Sequence, residues 1–222
     1  MTRASLRYTL LTFRYDQLWF PAAIWALFVI VVLFLQHTDQ ALNAARGYLG
    51  VAVPLIGGIM AAYAILDDPA LELRFATAGR AWGLLFERLG PILLVQAACA
   101  LAFQVFTRLV GIDLSIMGDP WAVQLAWLVP TLALMGLGCA GSLLAAQTTS
   151  GAVLVGVVWL VELIARGWFA QNAGKYVLVF MGALMPDHPD LVANRVVLLA
   201  LAGGFLAASW ALLRSQERYI GG

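Results

Sequence analysis

An all-α polytopic membrane fold is what this chain predicts, and three observations predict it. Of its 222 residues, 63% are apolar and only 11% are charged, against about 45–50% and about 25% in a soluble domain. The apolar residues gather into runs close to the length that crosses a bilayer, about 20 residues each. Six such runs take roughly 120 residues, and what remains is too little for a soluble domain of ordinary size. The expectation is therefore one transmembrane domain over residues 1–222.

The elements follow in order. Thr2–Gln17 interleaves Leu6, Leu10, Leu11 and Phe13 with Arg3, Arg7, Arg14 and Asp16. Leu6/Leu10 and Arg3/Arg7 stand four apart, the spacing of a helix lying in the interface; a frayed basic tail is the alternative. Pro21 is expected to turn the chain into the first span. The six spans are Leu18–Leu35, Tyr48–Leu66, Gly90–Val110, Trp121–Leu144, Ser150–Ala165 and Val196–Leu213. No small-residue cleavage site follows the first, so it reads as a retained span. Tyr176–Met185 is apolar but only ten residues long, too short to cross, which predicts a re-entrant or interfacial helix. Gly167, Asn172-Ala173-Gly174 and Met185-Pro186-Asp187 frame it within the loop region 166–190.

Orientation follows from the basic residues. With the N-terminus inside, eight arginines (3, 7, 14, 74, 80, 88, 214 and 218) lie on the cytoplasmic side. Arg46, Arg108, Arg166, Lys175 and Arg195 lie on the other, a positive-inside bias that an even span count satisfies. The expected placement is the plasma membrane, multi-pass, with both termini cytoplasmic. Trp19, Phe20, Trp121 and Trp168 stand at span ends, where amphipathic rings settle at headgroup level. The net charge of +1 supplies no field to attract nucleic acid. Cys99 and Cys139 both lie in apolar runs and read as packing residues.

Charge is concentrated in one place. Seven of the 25 charged residues fall between Asp67 and Arg88, joining the second and third spans. Asp68-Pro69 is a helix-start signal, because Asp accepts orphan amides and Pro fits the first helical position. Glu72 suits the positive end of the helix dipole, and Ala78-Gly79 is a stop signal. A second short helix from Arg80 is expected to lead into the third span at Gly90-Pro91. The first short helix, with Leu71 and Phe75 on one face, either rests on the membrane or docks into a cytoplasmic partner.

The run Asp67-Asp68-Pro69-Ala70-Leu71-Glu72-Leu73, continuing to Glu87-Arg88-Leu89, resembles the loop between the second and third spans of type-2 ABC exporter permeases. The layout is also similar: interfacial N-terminal helix, six spans, and a re-entrant hairpin before the sixth. The resemblance implies that the 67–89 region couples the membrane domain to a separate cytoplasmic ABC ATPase. Asp68, Glu72, Leu73 and Phe75 are then the docking residues, and Arg74 and Arg88 salt-bridge partners of the ATPase. It implies no catalysis and no cofactor in this chain, with ATP and Mg on the partner, and a second permease chain, identical or not. It also implies that the 166–190 region is an extracellular lid. The sequence has no G-x-x-x-x-G-K-[ST] pattern; Gly174-Lys175 is followed by Tyr176, so it cannot cradle nucleotide phosphates itself.

Polar residues inside spans need a reason, since each charged one costs roughly 2.5–3.5 kcal/mol. Glu162 and Arg166 stand four apart in the favourable order for a helical ion pair; Glu162 serves either that pair or an outer gate. Gln96 and Gln104, eight apart on one face, either bond across a helix interface or line a translocation path. Gly57, Gly58, Gly136, Gly138, Gly141, Gly203 and Gly204 permit close helix approach. His37 and His188 fall in different loops without a third ligand between them. Gly138-Cys139-Ala140-Gly141-Ser142 is not G-x-S-x-G and has no histidine in a span beside it. The functional expectation is the permease subunit of an exporter of a lipid, peptide or drug-like substrate. The alternative is a six-span substrate-binding subunit of a vitamin importer.

Overall fold

A computed structural model describes residues 16–67 and 81–214; the expected interfacial segment 2–15 and the stretch 68–80, where a docking helix was expected, lie outside the described residues. Among the described residues the chain is helical throughout its regular structure, without strands. We number the helices α1 (Asp16–Leu35), α2 (Gln40–Gly47), α3 (Val53–Tyr63), α4 (Ala81–Leu109), α5 (Pro120–Ala145), α6 (Thr148–Ile164), α7 (Arg166–Gln171), α8 (Met181–Leu184) and α9 (Leu191–Leu213). Five helical stretches are long and apolar enough to cross a membrane: Leu18–Leu35, Gln40–Tyr63, Ala81–Leu109, Pro120–Ala145 and Leu191–Leu213. The 17-residue α6 is a shorter apolar helix.

Three elements differ from expectation. Asp16–Leu35 is helical throughout and runs through Pro21, which was expected to turn the chain into the first span. The second span is one continuous unit from Gln40, because a π turn at Tyr48–Ala52 joins α2 to α3. Pro54 follows that turn; its ring clashes with the carbonyl four residues back in a regular helix, and widening the turn relieves the clash. α4 is a single 29-residue helix through Pro91, where a short helix followed by a separate span was expected. At 1.5 Å per residue it is about 44 Å long and outruns a hydrocarbon core of about 30 Å.

α5 begins as an Asp-Pro pair should. The Asp119 carboxylate accepts the Ala122 N–H at 2.6 Å, and Pro120 takes the first turn. Its other end is capped by Ala146 in the left-handed region at φ 52°, a conformation that costs an L-residue roughly 1–2 kcal/mol. That reversal lets α6 start two residues later, with Ser150 Oγ donating to Gln147 Oε1 at 3.1 Å.

The bundle is built around α3 and α5. In the windows that could cross, 61% of residues are buried in both Gln40–Tyr63 and α5, against 11% in α1. Backbone-to-backbone contact makes that centre. A Cβ on Gly138 of α5 would lie 2.2 Å from the Gly58 carbonyl oxygen of α3, and one on Gly151 of α6 would lie 2.5 Å from the Gly138 carbonyl oxygen. Gly203 and Gly204 meet nothing within 4 Å, so they make no close approach among the described residues. Cys139 is fully buried and Cys99 half-buried, and both are free thiols. Buried hydroxyls are satisfied within their own helices: Thr107 by the Gln104 carbonyl, Thr131 by that of Trp127, Ser142 by that of Cys139 and Ser209 by that of Phe205.

Residues 36–39, 110–119 and 165–190 collect at one end of the bundle, here the upper end, joined there by Arg46 Nε donating to the Ala183 carbonyl and Arg195 Nη2 to that of Ala122. At the opposite end Trp82 stacks on Trp210 with centroids 5.9 Å apart. The surface is heavily apolar, with Phe34, Leu109 and Ile164 among its exposed side chains, which is the surface a bilayer covers rather than water. Trp19, Trp121 and Trp168 are exposed at helix ends, as interfacial anchors are.

The glycine contacts generate a prediction. Gly138→Ala and Gly151→Ala each force α3, α5 and α6 apart and lower the thermal unfolding midpoint in detergent, by an amount equivalent to roughly 1–3 kcal/mol. Gly156→Ala, where a Cβ meets nothing within 4 Å, leaves it unchanged.

Candidate functional site

The upper end holds most of the polar side chains that are fixed by tertiary contact. Its centre is the segment following α7: a 3-10 turn at Ala173–Tyr176, an irregular stretch, and the single turn of α8. Leu178, Val179, Phe180, Met181 and Ala183 are all buried. The segment therefore enters the bundle, although as a bent strap rather than the ten-residue helix its apolar run suggested. Small residues admit it. A Cβ on Gly50 would fall 2.0 Å from the Ala183 Cβ, and one on Gly182 would fall 3.1 Å from the Ala126 Cα. Phe180 packs edge-on against Trp159, with centroids 6.1 Å apart. Trp159 in turn donates its indole N–H to the Val51 carbonyl in the π turn at 2.9 Å.

Burying an irregular strap leaves backbone groups without helical partners, and two side chains supply them. Glu162 of α6 is 5% exposed, and its Oε2 accepts the Val179 N–H at 2.7 Å. Asn194 of α9 is 2% exposed, and its Nδ2 donates to the carbonyls of Lys175, Tyr176 and Leu178 at 2.9, 3.2 and 3.0 Å. The expected Glu162–Arg166 helical pair is not formed. α6 ends at Ile164, and Arg166 begins a new helix after Ala165 leaves helical geometry at φ −93°, ψ 16°. That break removes the i,i+4 register, and Arg166 is exposed.

Lys175 closes the rim of the strap by pairing with Asp190 at 2.5 Å. The hydrogen bond it donates to Asp190 holds the lysine above its ordinary range. His188 Nδ1 accepts the Asp190 N–H at 3.2 Å, and His37 lies with Gln36 in another loop.

The two glutamines of the third span behave differently. Gln96 is fully buried, its Nε2 3.4 Å from the Met60 sulfur, and its Oε1 has no partner among the described residues. Gln104 makes a reciprocal amide pair with Gln124 of α5: Gln124 Nε2 donates to Gln104 Oε1 at 2.7 Å, and Gln104 Nε2 to Gln124 Oε1 at 3.3 Å. Trp127 Nε1 adds a second donor to Gln124 Oε1 at 2.9 Å. Both glutamines thus bond at helix interfaces, and Gln104 also borders an open cavity of about 340 Å³ beneath the α4–α5 loop.

Of the residues expected to couple to an ATPase, Asp68, Glu72, Leu73, Arg74 and Phe75 lie outside the described residues. Arg88 belongs to α4 and is only 8% exposed, packed within the bundle rather than displayed on its surface. Sequence reasoning missed Asn194, Gln124 and Arg46. The first two carried a signal, each being a lone amide in an apolar helix, but their partners are distant in sequence. Compared with known proteins, this chain matches no family model, no curated protein and no solved structure.

Two predictions follow from the strap. Glu162→Gln keeps an acceptor of the same shape and stays near wild type, whereas Glu162→Leu orphans the buried Val179 N–H. The latter costs about 1–3 kcal/mol, read as faster hydrogen exchange at residues 178–183. The second concerns pH. A lysine held above its ordinary value of 10.5 contributes fully below that value, and its contribution is lost as pH rises through the folded value. Protection of the 173–190 segment from proteolysis therefore falls at alkaline pH, and Lys175→Met removes that alkaline step.

Proposed function

We propose that this chain is the transmembrane permease subunit of an ABC transporter, exporting a lipid, peptide or drug-like substrate and driven by a separate ATPase. The observation that carries the reading is the crowding of charge between Asp67 and Arg88 in a chain otherwise poor in charge. With it goes the similarity of its Asp-Asp-Pro-Ala-Leu-Glu-Leu run to the coupling region of type-2 exporters. That stretch joins α3 to α4 at the lower end, where the tight α5–α6 turn also lies. Docking is assigned to Asp68, Glu72, Leu73, Arg74 and Phe75; the burial of Arg88 assigns that residue to the root of α4.

In this reading all six apolar helices cross the membrane, and the termini and lower end face the cytoplasm of a plasma membrane. At 17 residues, α6 is about 25 Å long, a few ångströms short of the hydrocarbon core. Local thinning and the flanking Trp168 accommodate such a mismatch. The segment before the first span lies in the interface. The strap held by Glu162 and Asn194 is the extracellular lid, and Glu162 is its latch rather than a ligand in an open path. Gln96 and Gln104 border the helix interfaces that shift as the lid moves. A second permease chain completes the pore, and the open faces of Gly203 and Gly204 suit close approach by its helices. ATP and Mg belong to the partner; this chain positions and transmits.

The test replaces both Glu72 and Phe75 with alanine and measures association with the co-purifying ATPase together with coupled ATP hydrolysis. Both fall if the 68–80 stretch is the coupling element. Unchanged association and hydrolysis would falsify the assignment.

A further inference from the structure

The cavity beneath the α4–α5 loop is a second built feature of the upper end, independent of the permease reading. Its volume of about 340 Å³ lies at the lower end of ligand pockets, about 300–1,000 Å³. Two glycines in the left-handed region, Gly111 at φ 79° and Gly118 at φ 106°, turn the loop over it. The Gln104–Gln124 pair borders it on the bundle side, and Arg108, Asp113 and Ser115 border it from α4 and the loop.

The donors on this lining exceed its acceptors. Each glutamine amide has two N–H donors, and the reciprocal pair spends one from each. One N–H of Gln104 and one of Gln124 therefore remain. Arg108 sits one turn beyond Gln104 on α4 and is exposed; its guanidinium makes no ion pair among the described residues, and its five donors are unspent. Donors and a cation converging on one cavity call for an oxyanion. Asp113 adds the opposite charge. Its two oxygens accept the Ser115 N–H at 2.8 Å and the Ser115 Oγ–H at 2.7 Å. These bonds hold its carboxyl below the usual carboxylate range, so it stays charged at neutral pH, and each oxygen keeps a lone pair for a further donor. One guanidinium and one carboxylate make a neutral but dipolar mouth, which disfavours a ligand carrying net negative charge.

We propose that this cavity binds a zwitterion whose oxyanion lies on Arg108 and the Gln104–Gln124 amides and whose primary ammonium lies on Asp113. An amine-bearing phosphodiester fits that description, whether it comes as a phosphatidylethanolamine headgroup or as a free solute. The surroundings favour the headgroup: Leu109, Ile116 and Trp121, each next in sequence to a lining residue, are exposed, and apolar and aromatic side chains of this kind sit at headgroup level.

The test uses the purified full-length chain, delipidated in detergent and offered equal amounts of phosphatidylethanolamine, phosphatidylcholine and phosphatidylglycerol with matched acyl chains. Bound lipid is counted by native mass spectrometry. Phosphatidylethanolamine should be retained about tenfold over the other two, the loss of one charge-assisted hydrogen bond being worth about that factor. Arg108→Gln lowers that retention about tenfold. Asp113→Asn keeps the acceptor for the Ser115 N–H, and in that variant phosphatidylethanolamine falls to the level of phosphatidylcholine. Both positions are exposed, so both variants should keep the wild-type melting temperature. A parallel arm adds glycerophosphoethanolamine, the water-soluble phosphodiester, to lipid-free protein. A thermal shift that Arg108→Gln abolishes assigns a free solute, and no shift with lipid discrimination intact assigns the headgroup. Equal retention of the three lipids together with no response to glycerophosphoethanolamine overturns the proposal, as does full retention by Arg108→Gln.

Discussion

The structure depends on one contact, the meeting of three backbones at Gly58, Gly138 and Gly151. Lipid tails are as apolar as leucine, so helices in a bilayer gain nothing from the hydrophobic effect when they associate; packing and polar contacts must hold them. Removing side chains from the crossing lets α3, α5 and α6 approach until one carbonyl faces the next helix axis. Everything else is arranged around that centre. α1 packs from outside with little of itself buried, and α4 and α9 flank the core through Phe103, Ile92 and Leu213.

Close packing at the centre also creates the room that the upper end fills. The π turn at Tyr48–Ala52 brings Gly50 to the strap, and the strap's Ala183 occupies the space a larger residue at position 50 would take. Because that strap is irregular, its amides and carbonyls demand partners in a region with little water. Glu162 and Asn194 meet the demand from two different helices, so freeing the strap takes release from both α6 and α9.

The class of fold was legible because its signal is local. Apolar runs of crossing length, aromatic residues at their ends and the Asp119-Pro120 cap are each written within a few residues of one another. Boundaries were less legible where proline was read as punctuation. Pro21 and Pro91 both lie within continuous helical runs. Glu162 was recognised as a residue needing a reason, but its partner was misread. Arg166 is near in sequence, whereas Val179 is brought close only by the fold of the strap. Gln104 shows the same thing: its helix face could be read, while Gln124 across the interface could not.

What the sequence determined by itself is the solvent: so little charge leaves a bilayer as the surroundings of its long apolar helices. Tertiary structure decided how the sparse polar groups are used. Arg108, Asp113 and the two glutamines share a cavity, and Glu162 and Asn194 share a strap, because helices far apart in the chain converge there. Hydropathy sums over neighbours in sequence, but a hydrogen bond is settled over about 3 Å in space. The first can be read along the chain, and the second exists only once the helices have met.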